Sequence, residues 1–259
     1  MPGSNESKLP PKLPSGRPPL RILLVRHGQS TAQEPDAKAQ VFGEACLTEL
    51  GHRQATVAAQ AARELMPKLT KIHSSHYRRA WETADFFAYA FDDDFEQGKP
   101  GAKQVRVEKI ENAHEFTYLS HVRTQHLDAK QRLTEVKSYW EDANAVHIDG
   151  PDAESFKYFF TRTGDALAAL ALNMLDEEQE AAILVTHGWF MRAALFRILT
   201  LDDMWRDQYV DGPLMRRFYQ FADTLRVPNT SFLPLFLHES GWSAGGLMTA
   251  HIPLNLRTL

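Results

Sequence analysis

Arg21-Ile22-Leu23-Leu24-Val25-Arg26-His27-Gly28-Gln29-Ser30 is the stretch from which the rest of the chain is read. Its apolar run at 22–25 is short and is halted by a glycine, which predicts a buried strand with a tight turn after it. The construction recurs at Ala181-Ala182-Ile183-Leu184-Val185-Thr186, which runs into His187-Gly188. Open α/β sheets carry their ligand sites just beyond the carboxyl ends of their strands. Two such strands in one sheet would bring His27 and His187 to the same edge.

Around these two strands the periodicity alternates. Thr48 can cap a helix over 48–66, with Ala55, Ala58, Ala62 and Leu65 on one face and Pro67 marking its end. A short strand over 69–75 leads to a helix over 77–91, whose Trp81, Ala84, Phe87 and Ala88 are spaced to face the sheet. A further strand is expected over 105–110, and a long helix from Pro151 to Leu175. Residues 188–201 are helical again, and 225–253 read as two strands joined at Glu239-Ser240-Gly241-Trp242. Strands alternating with helices predict an α/β protein: three layers, α/β/α, with a mostly parallel central sheet.

Three segments fall outside that alternation. Residues 1–19 are rich in Pro, Ser and Gly and are expected to be a disordered leader before a domain at 20–259. Residues 92–103 read as an exposed loop, and the polar, broken stretch 116–150 as an insertion over the C-terminal edge of the sheet.

The 259-residue length is ample for a buried core, and with 43% hydrophobic and 24% charged residues the composition is that of an ordinary globular protein. A formal net charge of -4 gives no footprint for nucleic acid or an anionic membrane. No apolar run reaches the roughly 20 residues that span a bilayer. The single Cys46 excludes an internal disulfide framework. With no apolar signal segment at the N-terminus, the expected location is cytoplasmic. No motif sets an oligomeric state.

Arg26-His27-Gly28 and Val185-Thr186-His187-Gly188 together resemble the two histidine strands of the histidine phosphatase superfamily, the phosphoglycerate mutase-like fold. The likeness continues through Leu47-Thr48-Glu49-Leu50-Gly51-His52-Arg53-Gln54-Ala55 and Ser74-Ser75-His76-Tyr77-Arg78-Arg79-Ala80-Trp81-Glu82-Thr83-Ala84. Glu154-Ser155 with Arg162, and Pro228-Asn229-Thr230-Ser231 at the start of the closing hairpin, extend it to the C-terminal region. Gln33 stands where many members have Asn, and Ala113-His114-Glu115-Phe116-Thr117-Tyr118 replaces the usual Leu-x-Glu and following Gly.

The resemblance implies a metal-independent phosphatase without cofactors, acting on a small-molecule phosphate ester. It makes His27 the nucleophile, Arg26 and Arg79 (rather than Arg78) the phosphoryl-binding arginines, His187 the second histidine and Glu115 the general acid. The chemistry agrees with those residue types. A neutral imidazole offers a lone pair near neutrality, and guanidinium forks match phosphoryl oxygens. Ser30 and Gln33 either donate to phosphate or hold the loop, and the backbone at Gly188 offers N–H donors where the next helix starts. Arg123, Lys130 and Arg132 are candidates for leaving-group selection in the insertion.

Each residue also has a plainer reading. A histidine at a strand end is commonly structural, an arginine on a helix is commonly solvated, and Glu115 sits near Glu108 and Glu111 in an acidic stretch. His73 with His76, and His114 with His121 and His126, raise a metal reading, yet no zinc-type spacing is present. Two functional rivals remain: a mutase, which returns the phosphoryl group to a second hydroxyl, and a non-catalytic phosphate-binding scaffold.

Overall fold

Among the described residues six strands form one mixed sheet in the order β3-β2-β4-β1-β5-β6. They are β1 Leu20–Arg26, β2 Ile72–Ser75, β3 Val107–Ile110, β4 Ala181–Thr186, β5 Phe232–His238 and β6 Gly241–Ala244. The computed structural model describes residues 12–34, 43–67, 69, 71–92, 105–200 and 209–259. β3, β2, β4 and β1 run parallel, and β5 and β6 close the sheet as an antiparallel hairpin.

Alternation along the central strands divides the core in two. Leu23 and Val25 of β1, with Ile183 and Val185 of β4, face α1 (Glu49–Leu65) and α2 (Arg78–Ala90) through Ala58, Ala62, Ala84 and Phe87. Ile22, Leu24, Ala182 and Leu184 face the other way, onto α5 (Phe156–Asp176) and α6 (Gly188–Thr200). A strand buried on both sides needs apolar residues at every position, which is why β1 and β4 read as continuous apolar runs. Thr48 does cap α1, its Oγ1 accepting from Gly51 N at 3.0 Å. Leu65 at the helix end is 41% exposed, and Trp81 is only half-buried, with Lys109 5.0 Å from its ring, so Ala59 and Ala80 complete the buried faces instead.

The insertion contributes α3 (His121–Thr124) and α4 (Ala129–Asp142). Its Phe116, Tyr139 and Trp140 build a third apolar cluster with Phe156 and Phe159 of α5 and with Leu214, Met215 and Phe218 of α7 (Gly212–Thr224). α7 was not expected from the sequence.

Two expectations need correction. The long helix begins at Ser155, whose Oγ accepts from Tyr158 N, and not at Pro151. Asp152 beside that proline instead accepts from Ser120 Oγ and from the N–H groups of His121 and Val122 at the start of α3. The leader packs down earlier than expected: Leu13 is 3% exposed within the core, and Ser15 donates to Glu239. Residues 1–11 of that leader, and 93–103 of the expected loop, lie outside the described residues.

Candidate active site

The parallel register of β1 and β4 pairs Arg26 with Thr186, so the next residues, His27 and His187, emerge side by side. Their ring centroids are 5.0 Å apart, and both side chains are buried. β2 lies on the other side of β4 and ends at Ser75, whose Oγ is 2.9 Å from His187 Nε2.

His27 has a defined tautomer. Its Nδ1 is 2.6 Å from Gly28 O, a group that can only accept, so Nδ1 carries the proton. Its Nε2 then holds a lone pair, which accepts from Arg79 Nε at 3.1 Å. A guanidinium cannot accept a hydrogen bond, so the two contacts agree independently. Burial, followed by the charges of Arg79 and Arg26, lowers the pKa of His27 well below 6.5 and keeps the ring neutral. The same holds for His187, through burial first and then Arg79. His187 is thus neutral in the free protein.

Close backbone approach positions the loop after β1. A Cβ on Gly28 would lie 2.6 Å from Gly51 O, and one on Gly51 would lie 2.1 Å from Gln29 O, so each glycine leaves room for the other's chain. Gly28 N donates to Thr83 Oγ1, and Thr83 Oγ1 donates to Arg79 O, tying this loop to the first turn of α2. Arg79 is buried while Arg78 is exposed in an ion pair with Glu82. From the far side Asn229 Nδ2 donates to His27 O at 2.9 Å.

Arg26 lies half-buried beside the two rings, with one terminal nitrogen donating to Val227 O. Burial pulls its pKa down to about 10, against the attraction of Glu115 and with the repulsion of Arg192 and Arg79. Arg26 Nε and His187 Nδ1 are buried with no hydrogen-bond partner among the described residues. Glu115 Oε1 accepts from Phe116 N and from Trp189 N, both at 3.1 Å. Among the N–H groups at the start of α6, that of Trp189 is therefore engaged by Glu115. Gly188 serves by its lack of a side chain: a Cβ there would lie 3.1 Å from Arg192 Nη1 and 3.6 Å from Arg26 Nε.

Glu115 is fixed from behind. Arg162, 1% exposed, forms a two-pronged ion pair with Glu154 at 2.7 and 2.6 Å and donates to the carbonyls of Asn112, His114 and Glu115. Ser30 and Gln33 are placed differently. Ser30 N donates to Gln33 Oε1, while Gln33 Nε2 donates to Asn229 Oδ1 and to Leu259 O. These bonds favour the loop-holding alternative for both.

Of the other histidines, His73 is buried 3.7 Å from Glu108, and His76 and His114 stack edge-on at 5.2 Å around Tyr77. Among the described residues no group of His, Cys, Asp or Glu is placed to hold a metal ion. Arg123 is engaged by Asp149 and Glu135, Arg132 donates to Thr124 O, and Lys130 is exposed. The insertion meets the site with aromatic rings instead: Trp140 stacks on Trp189 at 5.3 Å, and Tyr118 lies 6.0 Å from it. Arg192 is the residue the sequence reading missed. It sits one helical turn beyond Gly188, on the same face, and that spacing was the available signal.

The sequence model of the histidine phosphatase superfamily (branch 1) matches residues 22–211. The chain belongs to that superfamily. Among curated proteins none matches it in sequence. Solved structures share its fold. A putative alpha-ribazole-5'-P phosphatase from Escherichia coli is 18% identical with a TM-score of 0.60, the match covering 91% of this chain and 98% of that one. A mycobacterial glucosyl-3-phosphoglycerate phosphatase solved with VO3 is 21% identical with a TM-score of 0.59, covering 88% and 98%. A phosphoglycerate mutase from Bacillus anthracis is 14% identical with a TM-score of 0.58, covering 88% and 92%. No helix among the described residues is long and apolar enough to cross a membrane.

Proposed function

We propose that the protein is a metal-independent phosphomonoester hydrolase that works through a phosphohistidine intermediate on a small phosphorylated metabolite. The observation that carries this reading is the His27 tautomer: Nδ1 donates to Gly28 O, so the Nε2 lone pair faces Arg79. His27 Nε2 attacks phosphorus, the N–P bond forms, and the P–O bond to the leaving group breaks. Arg26, Arg79 and His187 hold the non-bridging oxygens. In this reading the Ser75 hydroxyl donates to His187 Nε2, which leaves the unpartnered Nδ1 as the N–H donor.

In this reading Glu115, whose Oε1 accepts from two backbone N–H groups, passes a proton from Oε2 to the leaving oxygen. Water then attacks phosphorus, Glu115 takes its proton, the N–P bond breaks and inorganic phosphate leaves. Two of the proteins that share this fold are named as phosphatases of small phosphorylated molecules, alpha-ribazole-5'-P and glucosyl-3-phosphoglycerate, which supports the substrate class. Residues 20–259 serve as one catalytic domain, and 116–150 as the cover whose Trp140 and Tyr118 back the leaving-group side.

The test is a panel of phosphomonoesters assayed for released phosphate in excess chelator. Turnover without any bisphosphate primer is the expected result. Bisphosphate-dependent isomerisation would make the protein a mutase, and saturable binding without turnover a scaffold; either outcome contradicts the hydrolytic reading.

A further inference from the structure

The guanidiniums of Arg26, Arg79 and Arg192 meet the carboxyl group of Glu115 at this site, and Arg192 has no part in the reaction described above. Arg192 Nε donates to Leu225 O at 2.9 Å, and its guanidinium carbon lies 5.4 Å from the Trp189 ring centroid. Those two contacts fix the direction of the fork. Its two terminal nitrogens have no protein acceptor among the described residues. A half-buried arginine with both ends of its fork unused is set up for a planar anion.

Its position tells which anion. The fork reaches Gly188 next to Arg26 Nε, and Trp189, over which it lies, donates its N–H to Glu115. Trp189 also stacks on Trp140 of the segment proposed to cover the leaving-group side, at 5.3 Å. Arg79 marks the nucleophile, through its bond to His27 Nε2. Arg192 is thus joined through Trp189 to the proposed acid and to that cover, while Arg79 stands at the nucleophile. An acid faces the leaving oxygen, so a group seated beside both the acid and the cover faces the leaving group.

We propose that Arg192 determines specificity by binding a second anionic group, a carboxylate or a second phosphate, on the leaving group of the substrate. The inference rests on the phosphatase reading for the side on which the leaving group sits. It gives the role once sought in Arg123, Lys130 and Arg132 to a residue on the helix that follows β4.

The test compares phosphoglycolate and its longer homologues with alkyl phosphates of equal length, and adds ethanediol bisphosphate as the second-phosphate arm. Binding is measured by calorimetry on His27→Ala, which cannot turn over, and kcat/KM is measured on the wild type. An anionic member should be preferred over its alkyl partner by about tenfold to a hundredfold, the range of a charge-assisted pair. Arg192→Met should abolish that ratio, and Arg192→Lys, which keeps the charge and loses the fork, should reduce it; should the Met variant not fold, the Lys variant decides. No preference anywhere in the wild type, or variants that weaken both series equally, would overturn the proposal. Lack of phosphate release from every compound would contradict the hydrolytic reading, while the calorimetric ratio would still decide the role of Arg192.

Discussion

Arg79 Nε donates to His27 Nε2 across 3.1 Å, joining the start of α2 to the end of β1 through the one imidazole nitrogen that has a free lone pair. In the proposed reaction the same nitrogen attacks phosphorus, so an incoming phosphoryl group takes over the arginine. Arg79→Ala should therefore lower kcat/KM by about a hundredfold to a thousandfold, the usual cost of losing one aimed donor. Vanadate should lose affinity in parallel. A variant within a few-fold of wild type on both measures would show that Arg79 only fills space.

Glu115 can be tested by its leaving group. An alkyl alkoxide needs a proton badly and a nitrophenolate hardly needs one. Glu115→Gln should slow single-turnover phosphoenzyme formation from an alkyl phosphate by roughly a hundredfold or more, while sparing nitrophenyl phosphate. Glu111→Gln is the control, since its side chain is 81% exposed. If Glu111→Gln shows the leaving-group-dependent loss instead, the acid has been misplaced.

The Arg162–Glu154 pair gives a prediction on stability. Arg162→Met leaves a buried carboxylate uncompensated, a change that costs about 3–5 kcal/mol. Denaturant unfolding should show that loss. Adding Glu154→Gln should restore part of the stability but not kcat, because the carbonyls of Asn112, His114 and Glu115 stay unheld. Full recovery of kcat in the double variant would contradict a positioning role for Arg162.

The two histidines of the site, His27 and His187, make stability depend on pH. Burial lowers their folded pKa values well below 6.5, whereas in the unfolded chain they titrate near 6.5. Between those values the unfolded chain binds more protons, so stability rises with pH. The contribution is complete above about 6.5 and is lost as pH falls toward the folded values. Each ring adds up to about 1.4 kcal/mol per pH unit within that window. In phosphate-free buffer, His187→Gln should flatten the slope of unfolding free energy against pH between about 5 and 6.5. An unchanged slope would mean that the ring is already protonated when folded.

Much of this arrangement was legible because the residues that matter are local. Each histidine directly follows an apolar strand, and the register of one parallel pair carries both to the same edge. Arg79 was distinguishable from Arg78 only by motif, since helix geometry decides which of two adjacent arginines turns inward. α7 was missed although Asp211 caps it, Pro213 starts it and Leu214, Met215, Phe218 and Ala222 form its buried face. Its apolar face covers the insertion and α5 rather than the sheet, so it does not belong to the strand-helix alternation that organised the reading. The start of α5 was misplaced because Pro151 suits a first helical turn, while the cap that starts the helix is Ser155, whose Oγ accepts from Tyr158 N. Arg123 is the reverse case. Its basic character was visible, and the two carboxylates that neutralise it were not.

The central claim, that His27 carries the phosphoryl group, is tested most directly by trapping the intermediate. The protein is mixed briefly with radiolabelled substrate and quenched in alkali, where phosphohistidine survives; the label is then exposed to acid, where it is lost. The wild type should hold alkali-stable, acid-labile label on the peptide containing His27, and His27→Ala should hold none. Undiminished label on His27→Ala would contradict the account.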